Sequence, residues 1–348
     1  MSTDPHTIQR ISRKQEATEN TNSIALAADN LAFGKHSNAF GNFPVPQQEI
    51  NRFLSGASND PYVLKNGKNT HLGQIVYDPT DGLGFHFLWS DVADAHSAGS
   101  SPVVITPQEN VQQHTYSVRT QSENSGGSAT NRKVMRGCKT RMLNWTLDKT
   151  TAGIPMKITE TFEGRSFGAA SLNSGLSTSQ PLVYNDGNTR AQQNEYYRAN
   201  FECRWDIGGL GLGTQNDNVS DYVAAVSGMH LVSNKSIYFD DNKDPDKIIT
   251  GDRLNMIMID FYRRDKTAFL EDYLAQPTAD LYLNHSIKIF NTATNYLKFN
   301  LSKMALNVTM PHVLLSSGQV PVYRVTGEVT SLTMDINDTL AASKYGSS

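Results

Sequence analysis

Apolar and polar residues alternate along most of the chain, which is the pattern of strands with one buried and one solvated face. The clearest examples are residues 143–147 and 154–162, and the short connection between them, 148–153, is polar and contains glycine. We therefore predict an antiparallel hairpin there. The same period predicts further strands at 71–77, 83–89, 103–105, 201–207, 229–232, 237–240, 254–262, 286–290, 296–301, 305–310, 320–329 and 332–336.

Helical spacing is confined to short segments. Residues 47–54 carry apolar side chains at helical intervals after a Pro-Val-Pro sequence, which predicts a short helix. Residues 266–276 lie between Asp265, a favourable N-cap, and Pro277, which ends a helix. They are therefore predicted to form a second short helix. Residues 9–19 have sparse apolar positions, so a short helix and a disordered arm both remain open.

Composition narrows the class of protein. The 348 residues carry a formal charge of −3, which disfavours a strongly basic nucleic-acid binder. No apolar run approaches the roughly 18 to 20 residues that a membrane helix needs, and the first residues lack the pattern of a secretory signal. We expect no membrane anchor. The two cysteines, Cys138 and Cys203, are too few for a four-cysteine zinc site, and we expect them to be reduced, packed thiols.

Three short motifs contain the residue types of a functional site. The Gly-rich run 208–213 lacks the G-x-G-x-x-G spacing of dinucleotide-binding loops. The Gly-x-Ser-x-Gly at 164–168 is followed by Ser- and Gly-rich sequence where a nucleophile elbow needs a helix. An acidic turn has oxygen ligands at alternate positions, but Pro245 and Gly251 replace the glycine and glutamate of a calcium loop. That turn contains Asp240, Asn242, Asp244 and Asp246.

These motifs, and nine histidines in no zinc-binding pattern, lead us to predict no catalytic residue, no cofactor-binding residue and no metal ligand. Cys138 or Cys203 would need a histidine placed beside it to act as a nucleophile, which the sequence cannot show. A solvated acidic turn is favoured at 240–246, and cation binding there stays open.

The two halves of the chain have a similar order of segments. In the first half a segment with His114, the strand with Trp145 and an Ile-Pro pair at 154–155 follow one another. The corresponding segments of the second half are residues 285–289, the strands at 296–301 and 305–310, and a Val-Pro pair at 320–321. We predict a mainly β fold of two related sandwich-like or barrel-like domains, each with a short flanking helix. The predicted divisions are an N-terminal arm at 1–40, a first domain at 41–175, a linker or long loop at 176–200 and a second domain at 201–348.

Residues 138–164 resemble the terminal hairpin of tail tube proteins of long-tailed bacteriophages. A strand with a tryptophan is followed by a short loop and by IPMKITETFEG, where the family has a pattern like PLKVSVEFEG. The second half resembles the same unit, with 266–276 in the place of the helix that flanks the family's β-sandwich. It departs from the pattern because 320–329 lacks the closing Phe-Glu-Gly and the loop at 311–319 is longer.

The resemblance implies a structural protein of the virion tail, made in the host cytoplasm, with no enzymatic activity and no cofactor. Subunits of this family form rings that stack into a hollow tube, through which genomic DNA passes without specific binding. The tape measure protein and the tail terminator are the other partners that it implies. A chain with two tube domains would need three copies for a pseudo-sixfold ring.

Two further expectations concern assembly. The polar stretch 165–200 and the N-terminal arm are candidates for contacts between rings. We also expect a lumen of net negative charge, since a basic wall would grip DNA phosphates. The alternatives left open are another β-rich virion component, namely a tail terminator, a baseplate tube ring or a capsid decoration protein, and a tail-tip protein that binds or hydrolyses glycans.

Overall fold

The computed structural model describes residues 8–16, 19–20, 31–33, 35–38, 47–54, 61–89, 102–107, 112–123, 129–148, 154–169, 195–197, 201–207, 217–240, 242–262, 283–309 and 322–338. Within these ranges the chain is mainly β, as predicted, with nineteen strands and one α-helix. In the first half they are β1 (Ile8–Gln15), β2 (Leu31–Ala32), β3 (Lys35–Asn38), β4 (Gln47–Leu54), β5 (Pro61–Asp78), α1 (Leu83–Trp89), β6 (Val103–Ile105), β7 (Tyr116–Glu123), β8 (Ala129–Asp148), β9 (Lys157–Gly164) and β10 (Ser166–Ala169).

The second half continues with a 3₁₀ turn at Ser220–Tyr222 and nine more strands. These are β11 (Phe201–Ile207), β12 (Asp217–Asn218), β13 (Val223–Val232), β14 (Lys235–Ile237), β15 (Lys247–Ile249), β16 (Arg253–Tyr262), β17 (Leu283–Phe290), β18 (Tyr296–Thr309) and β19 (Val322–Asn337). Seventeen strands form one antiparallel network, and β14 and β15 pair only with each other among the described strands.

Strand β8 belongs to two sheets. Its first part lies between β7 and β10, and its second part lies between β9 and β13. The change occurs near Gly137, which has a φ of 59°. Glycine adopts this left-handed conformation without a Cβ penalty, and a Cβ here would also lie 2.9 Å from Arg165 Cδ. Gly137 therefore allows one strand to leave one sheet and enter the other.

The two halves have the same strand order. In the first half the order is β1-β7-β8-β9-β5, and in the second it is β11-β17-β18-β19-β16. Each set contains a meander of three strands that are consecutive in sequence. Each outer strand of the meander pairs with one further strand that comes before the meander in the chain. Strand β8 also pairs with β13, and β6 pairs with β19, so main-chain hydrogen bonds join the halves. The domain limits at 1–40, 41–175, 176–200 and 201–348 stay predictions.

Helix α1 is enclosed by the sheets, and all seven of its residues are buried. The Asp81 carboxylate accepts a hydrogen bond from the Leu83 N–H at 3.0 Å and so caps the helix start. The ring of Phe85 packs edge-on against Phe299 with centroids 5.2 Å apart, and Phe87 contacts Tyr116 at 4.5 Å. The helix thus fills the space between strands of both halves.

Three segments form a different kind of structure from the one predicted. Residues 83–89 form α1 instead of a strand, because a helix buried on all sides has no polar face to reveal its period. Residues 47–54 form β4, which pairs with β5, instead of a helix. Residues 8–15 form β1 and pair with β7 over their whole length, so this segment is neither a helix nor a disordered arm.

The predicted hairpin is confirmed, since β8 and β9 pair antiparallel from Lys139–Glu163 to Thr146–Lys157. Residues 71–77, 103–105, 201–207, 229–232, 254–262 and 286–290 are also strands, as predicted. The breaks predicted within 296–310 and 320–336 are wrong, because β18 and β19 continue through them with register shifts between Leu301 and Met304. The strand predicted at 237–240 ends at Ile237, and β10 lies at the start of the predicted loop at 165–200. The predicted helix at 266–276 lies outside the described residues.

Candidate functional site

A fully buried ion pair lies where the two sheets meet. Arg13 Nη1 donates a hydrogen bond to Glu160 Oε2 at 2.8 Å, and both side chains are 0% exposed. The same carboxylate accepts hydrogen bonds from the hydroxyls of Tyr77 at 2.9 Å, Thr140 at 3.0 Å and Tyr116 at 3.2 Å. These groups belong to β1, β5, β7, β8 and β9, so a single carboxylate ties five strands together.

Aromatic rings surround the Arg13 guanidinium, whose Cζ lies 4.3 Å from the Phe33 ring centroid and 5.3 Å from that of Phe87. Burial, the largest single cause, lowers the pKa of Arg13, but the combined electrostatic effect of Glu160, Tyr77, Asp81 and Tyr116 outweighs it and raises that pKa above its usual value. Burial, and then the charge of Glu160, raises the pKa of Tyr77 and Tyr116 well above the usual range. Since the phenols stay protonated and donate, the cluster is suited to holding the sheets together.

A second polar chain crosses the core beside α1. Trp145 Nε1 donates to His230 Nε2 at 3.0 Å, and His230 Nδ1 lies 3.0 Å from Asn255 Oδ1, which also accepts from Trp89 Nε1 at 3.2 Å. Burial lowers the pKa of His230 to about 4, so the ring is neutral at pH 7. Because an indole only donates, Nε2 is the acceptor and Nδ1 carries the proton. A Cβ at Gly228 would lie 2.2 Å from the indole nitrogen of Trp145, so any larger residue at this position would collide with the ring.

Cys203 has a histidine beside it, with Sγ 3.1 Å from His285 Nε2. A thiol next to an imidazole is the arrangement of a cysteine nucleophile. Here the two side chains are 0% and 4% exposed, and burial lowers the pKa of His285 to about 3, which makes the ring a poor proton acceptor. Burial likewise raises the pKa of the Cys138 thiol well above its usual value. Both cysteines are buried in the core, in agreement with the sequence-based expectation.

The Gly-x-Ser-x-Gly sequence lies where β9 passes into β10. Ser166 is the first residue of β10, so a strand and not a helix follows it. Its hydroxyl donates to Asn20 Oδ1 at 2.8 Å. This local geometry is not that of a nucleophile elbow. The Gly-rich run at 208–213 lies outside the described residues.

The carboxylates of the acidic turn are bound to separate partners. Asp244 Oδ1 accepts from Asn69 Nδ2 at 2.7 Å and lies 2.8 Å from His71 Nε2. Asp246 accepts from the Phe239 N–H at 2.6 Å and from Asn242 Nδ2 at 2.8 Å. Among the described residues, no group of three His, Cys, Asp or Glu side chains could hold a metal ion. Cation binding at this turn therefore stays without structural support.

The acidic turn belongs to the hairpin formed by β14 and β15, which lies over the middle of β5 and the end of β9. On its inner face Ile248 is 2% exposed and the Tyr238 hydroxyl donates to Asn69 O at 2.8 Å. The Ser236 hydroxyl donates to Glu163, and Arg165 Nε donates to Pro245 O at 3.3 Å. These contacts fasten the hairpin, which belongs to the second half, to strands of the first half.

The outer face of this hairpin is apolar and exposed. Phe239 is 51% exposed and Ile249 is 45% exposed, and the exposed Lys235 and Lys247 flank them. In the described part of the chain, the other exposed large hydrophobic residue is Ile154, at 39%. In the strand pairing Ile249 lies opposite Lys235, whereas Phe239 lies two residues beyond the end of β14.

The sequence did not reveal the residues that define these sites. Arg13 and Glu160 are 147 residues apart, and Cys203 and His285 are 82 apart, so no local spacing marks either pair. In a strand where polar and apolar residues alternate, a charged residue is normally expected to face solvent. One signal of the Glu160 cluster is in the sequence: Tyr77, Tyr116 and Glu160 occupy the same alternate positions as the apolar residues of their strands.

In the part of the chain that the structure describes, no helix has the length and apolarity needed to cross a bilayer. Compared with models of known protein families and with curated proteins, the chain finds no match in either.

Proposed function

We propose that this protein is the major tail tube subunit of a long-tailed bacteriophage, which polymerises as stacked trimeric rings into a hollow tube that conducts DNA. The observation that carries the proposal is the shared strand order of the two halves, β1-β7-β8-β9-β5 and β11-β17-β18-β19-β16. A chain with two similar β-units can supply six units to a ring of three copies.

The hairpin on which the resemblance rests adds support. Strands β8 and β9 pair antiparallel, and β9 has the burial pattern of a strand with one face in the core, ending in the buried Phe162, Glu163 and Gly164. This is the Phe-Glu-Gly ending that resembles the tail tube family. The pairing of β8 with β13 then extends this unit directly into the second half.

The sheet margins and the polar clusters agree with an assembly role. Within the described residues β10 pairs only with β8, and β12 only with β11, which leaves strand edges that a neighbouring copy would cover. The buried polar clusters join strands from distant parts of the chain. With a formal charge of −3, we expect a lumen of net negative charge that lets DNA slide.

Negative-stain electron microscopy of the purified protein over a concentration series tests the proposal. We expect hollow tubes of uniform width with three subunits per ring. Six subunits per ring would support the tube but contradict the trimeric ring in which each chain supplies two units. A fixed small oligomer at every concentration would contradict the tube and favour a tail terminator, a baseplate ring or a decoration protein.

A further inference from the structure

Methionines cluster on the outer face of one sheet. Strands β8, β13 and β16 lie side by side, and alternate residues such as Trp145, His230 and Ile257 are buried in the core. Side chains alternate along a strand, so the residues between them face outward. The half-buried apolar residues at these outward positions are Met142, Met229, Leu231, Leu254, Met256 and Met258.

The strand register makes three of these methionines neighbours. Met229 lies directly opposite Met256, and Met258 is the next outward residue of β16, opposite Ser227. Opposite residues of an antiparallel pair have Cβ atoms about 4.5 to 5.5 Å apart, and diagonal neighbours are about 7 to 8 Å apart. The methionine side chain is unbranched and has three rotatable bonds, so it is long and flexible enough to bring the three sulfur atoms to one point. We name Met229, Met256 and Met258 the thioether cluster.

Strand formation alone does not account for this choice of residue. Strands favour β-branched and aromatic side chains, and methionine has no such preference. The other methionines that the structure describes are at most 1% exposed and fill the core, namely Met135, Met156, Met304 and Met334. The half-buried methionines within the described ranges all lie on this one face.

The donor atoms of the cluster select a particular class of ion. Thioether sulfur is a soft, neutral ligand that suits copper(I). Zinc and calcium instead need imidazole, thiolate or carboxylate ligands. Among the described residues, no group of three His, Cys, Asp or Glu side chains could hold a metal ion. The cluster is therefore suited to a soft monovalent cation and unsuited to the common divalent ions.

One carboxylate stands beside the cluster. Glu328 of β19 lies directly opposite Met256 and is exposed. Asp260, the next outward residue after Met258, is engaged by two hydrogen bonds from Arg324 at 2.8 and 2.9 Å. Glu328 thus provides a negative charge next to the sulfur atoms, which favours a cation there.

We propose that the thioether cluster binds copper(I) through the sulfur atoms of Met229, Met256 and Met258. Met142 is a diagonal neighbour of Met229, but its Sδ accepts a hydrogen bond from Asn144 Nδ2 at 3.6 Å and lies at the margin of the site. The inference goes beyond the proposed function and does not depend on it.

Peroxide footprinting of the full chain tests the proposal with one readout for each methionine. Silver(I) is the probe, because it is also a soft monovalent ion and, unlike copper(I), is not oxidised by peroxide. Peroxide converts an accessible thioether to the sulfoxide, and mass spectrometry of proteolytic fragments measures each rate. With excess silver(I), the rates at Met229, Met256 and Met258 should fall at least about tenfold, because the metal occupies the sulfur that peroxide attacks. Met142, on the same face, should keep its rate.

Substitution by leucine tests the sulfur atoms themselves. Met229→Leu with Met258→Leu keeps the apolar volume of the face and removes two ligands. Equilibrium dialysis should show an affinity for silver(I) at least about tenfold lower, since even the loss of a residue behind a metal ligand costs about 10- to 100-fold. Met334→Leu is the control, because it removes a sulfur from the core and should leave the affinity unchanged. For a double variant that fails to fold, Met256→Leu alone removes the central sulfur.

The pH dependence of binding separates the cluster from the two thiols. Thioethers bind no proton, so the affinity should be the same at neutral and at mildly alkaline pH. Binding by Cys138 or Cys203 would strengthen as the pH rises, because a thiol must lose its proton to bind a metal. Copper(I), kept reduced with ascorbate, should displace silver(I) from the unchanged chain.

The outcomes decide the inference whether or not tubes form, since each rate is compared with that of Met142 in the same chain. No protection by silver(I), or equal protection of Met142 and the cluster, would overturn the inference. A double variant that binds silver(I) as tightly as the unchanged chain would also overturn it. Equal protection of the cluster by zinc would contradict the assignment to a soft ion.

Discussion

Arg13 and Arg324 make ion pairs of the same chemistry in opposite surroundings. Arg13 and Glu160 are both 0% exposed, whereas Arg324 is 51% exposed and donates two hydrogen bonds to Asp260 at 2.8 and 2.9 Å. Removing one partner of a buried pair leaves an uncompensated charge, which costs about 3 to 5 kcal/mol. An exposed pair is worth about 0 to 1 kcal/mol.

We therefore expect Arg13→Met to lower the free energy of unfolding by about 3 to 5 kcal/mol. Arg324→Met, the control, should lower it by less than about 1 kcal/mol. Urea denaturation followed by tryptophan fluorescence measures both values. Equal losses for the two variants would show that the buried pair does not hold the sheets together.

Three buried histidines make stability depend on pH. Burial lowers the pKa of His230 to about 4 and is the largest cause that lowers those of His86 and His285 to about 3. The unfolded chain takes up these protons below pH 6.5, but the folded chain does not until pH 4 or lower. Stability is therefore complete above pH 6.5 and is lost as the pH falls, by up to about 2 kcal/mol per histidine at pH 5.

Glu16 has the opposite effect on stability as the pH falls, because burial raises its pKa and the folded chain therefore takes up this proton more readily. One carboxylate does not offset three histidines. Urea denaturation at pH 7.5, 6.5, 5.5 and 5.0 should give a free energy of unfolding that declines below pH 6.5. His86→Leu removes one of the titrating groups and should make the decline shallower. A free energy that is constant from pH 7.5 to 5.0 would contradict the protonation states assigned to the core.

The β14–β15 hairpin depends on Asp244 for its attachment to β5. This carboxylate binds Asn69 and His71, and hydrogen bonds to charged groups are worth about 1.5 to 3 kcal/mol. In Asp244→Ala we expect amide hydrogens of residues 235–249 to exchange at least about tenfold faster. Amides in β8 should be unaffected, and Asp252→Ala, which removes an exposed carboxylate, is the control. Unchanged exchange in the hairpin would show that its other contacts, those of Ile248, Ser236, Tyr238 and Pro245, hold it without Asp244.

At the level of single elements, the sequence predicted strands with one wet face and failed for short segments whose apolar positions do not distinguish a helix from a strand. The β8–β9 hairpin was predicted because its polar side chains alternate with apolar ones. Helix α1 was missed because Leu83 to Trp89 have no polar face, although Asp81 provides the capping signal. Strand β4 was mistaken for a helix because Ile50, Phe53 and Leu54 fit a helical spacing as well. Short apolar segments are ambiguous between the two periods.

The candidate sites depend on pairing between distant strands, which local sequence does not encode. The two halves have a similar order of segments in the sequence, and this agrees with the strand order that they share. The Arg13 cluster was not predicted, because it requires β1 to lie beside β7 about a hundred residues later. The exposed outer face of the β14–β15 hairpin was not predicted either, because it requires knowing which face of these two strands packs inward.

The whole molecule depends on its N-terminal strand. Strand β1 covers the edge of β7 from Tyr116 to Glu123 and contributes Arg13 to the core. Deleting residues 1–15 exposes that edge and leaves Glu160 buried without its cation. We expect this chain to lose near-ultraviolet circular dichroism and cooperative thermal unfolding.

Deleting only residues 1–7 retains β1 and should give a chain that unfolds as the full one does. Comparing the two deletions thus shows whether residues 8–15 are a strand that the fold needs or an accessory arm that it does not need. If the chain lacking residues 1–15 unfolds cooperatively at the same temperature as the full chain, β1 does not contribute to the core as the structure indicates.

The enclosure of α1 has a consequence for translation. The Gly82 N–H donates to Asp338 Oδ2, and the two residues are 256 positions apart, while Ile336 lies directly against Gly82. At roughly 5 to 20 residues per second, the ribosome takes on the order of ten seconds or more to reach the strand that covers this end of the helix. For that time the nascent chain carries an uncovered apolar helix. Production of this protein in cells should therefore depend on chaperone capacity, and slower, cooler expression should raise the folded yield.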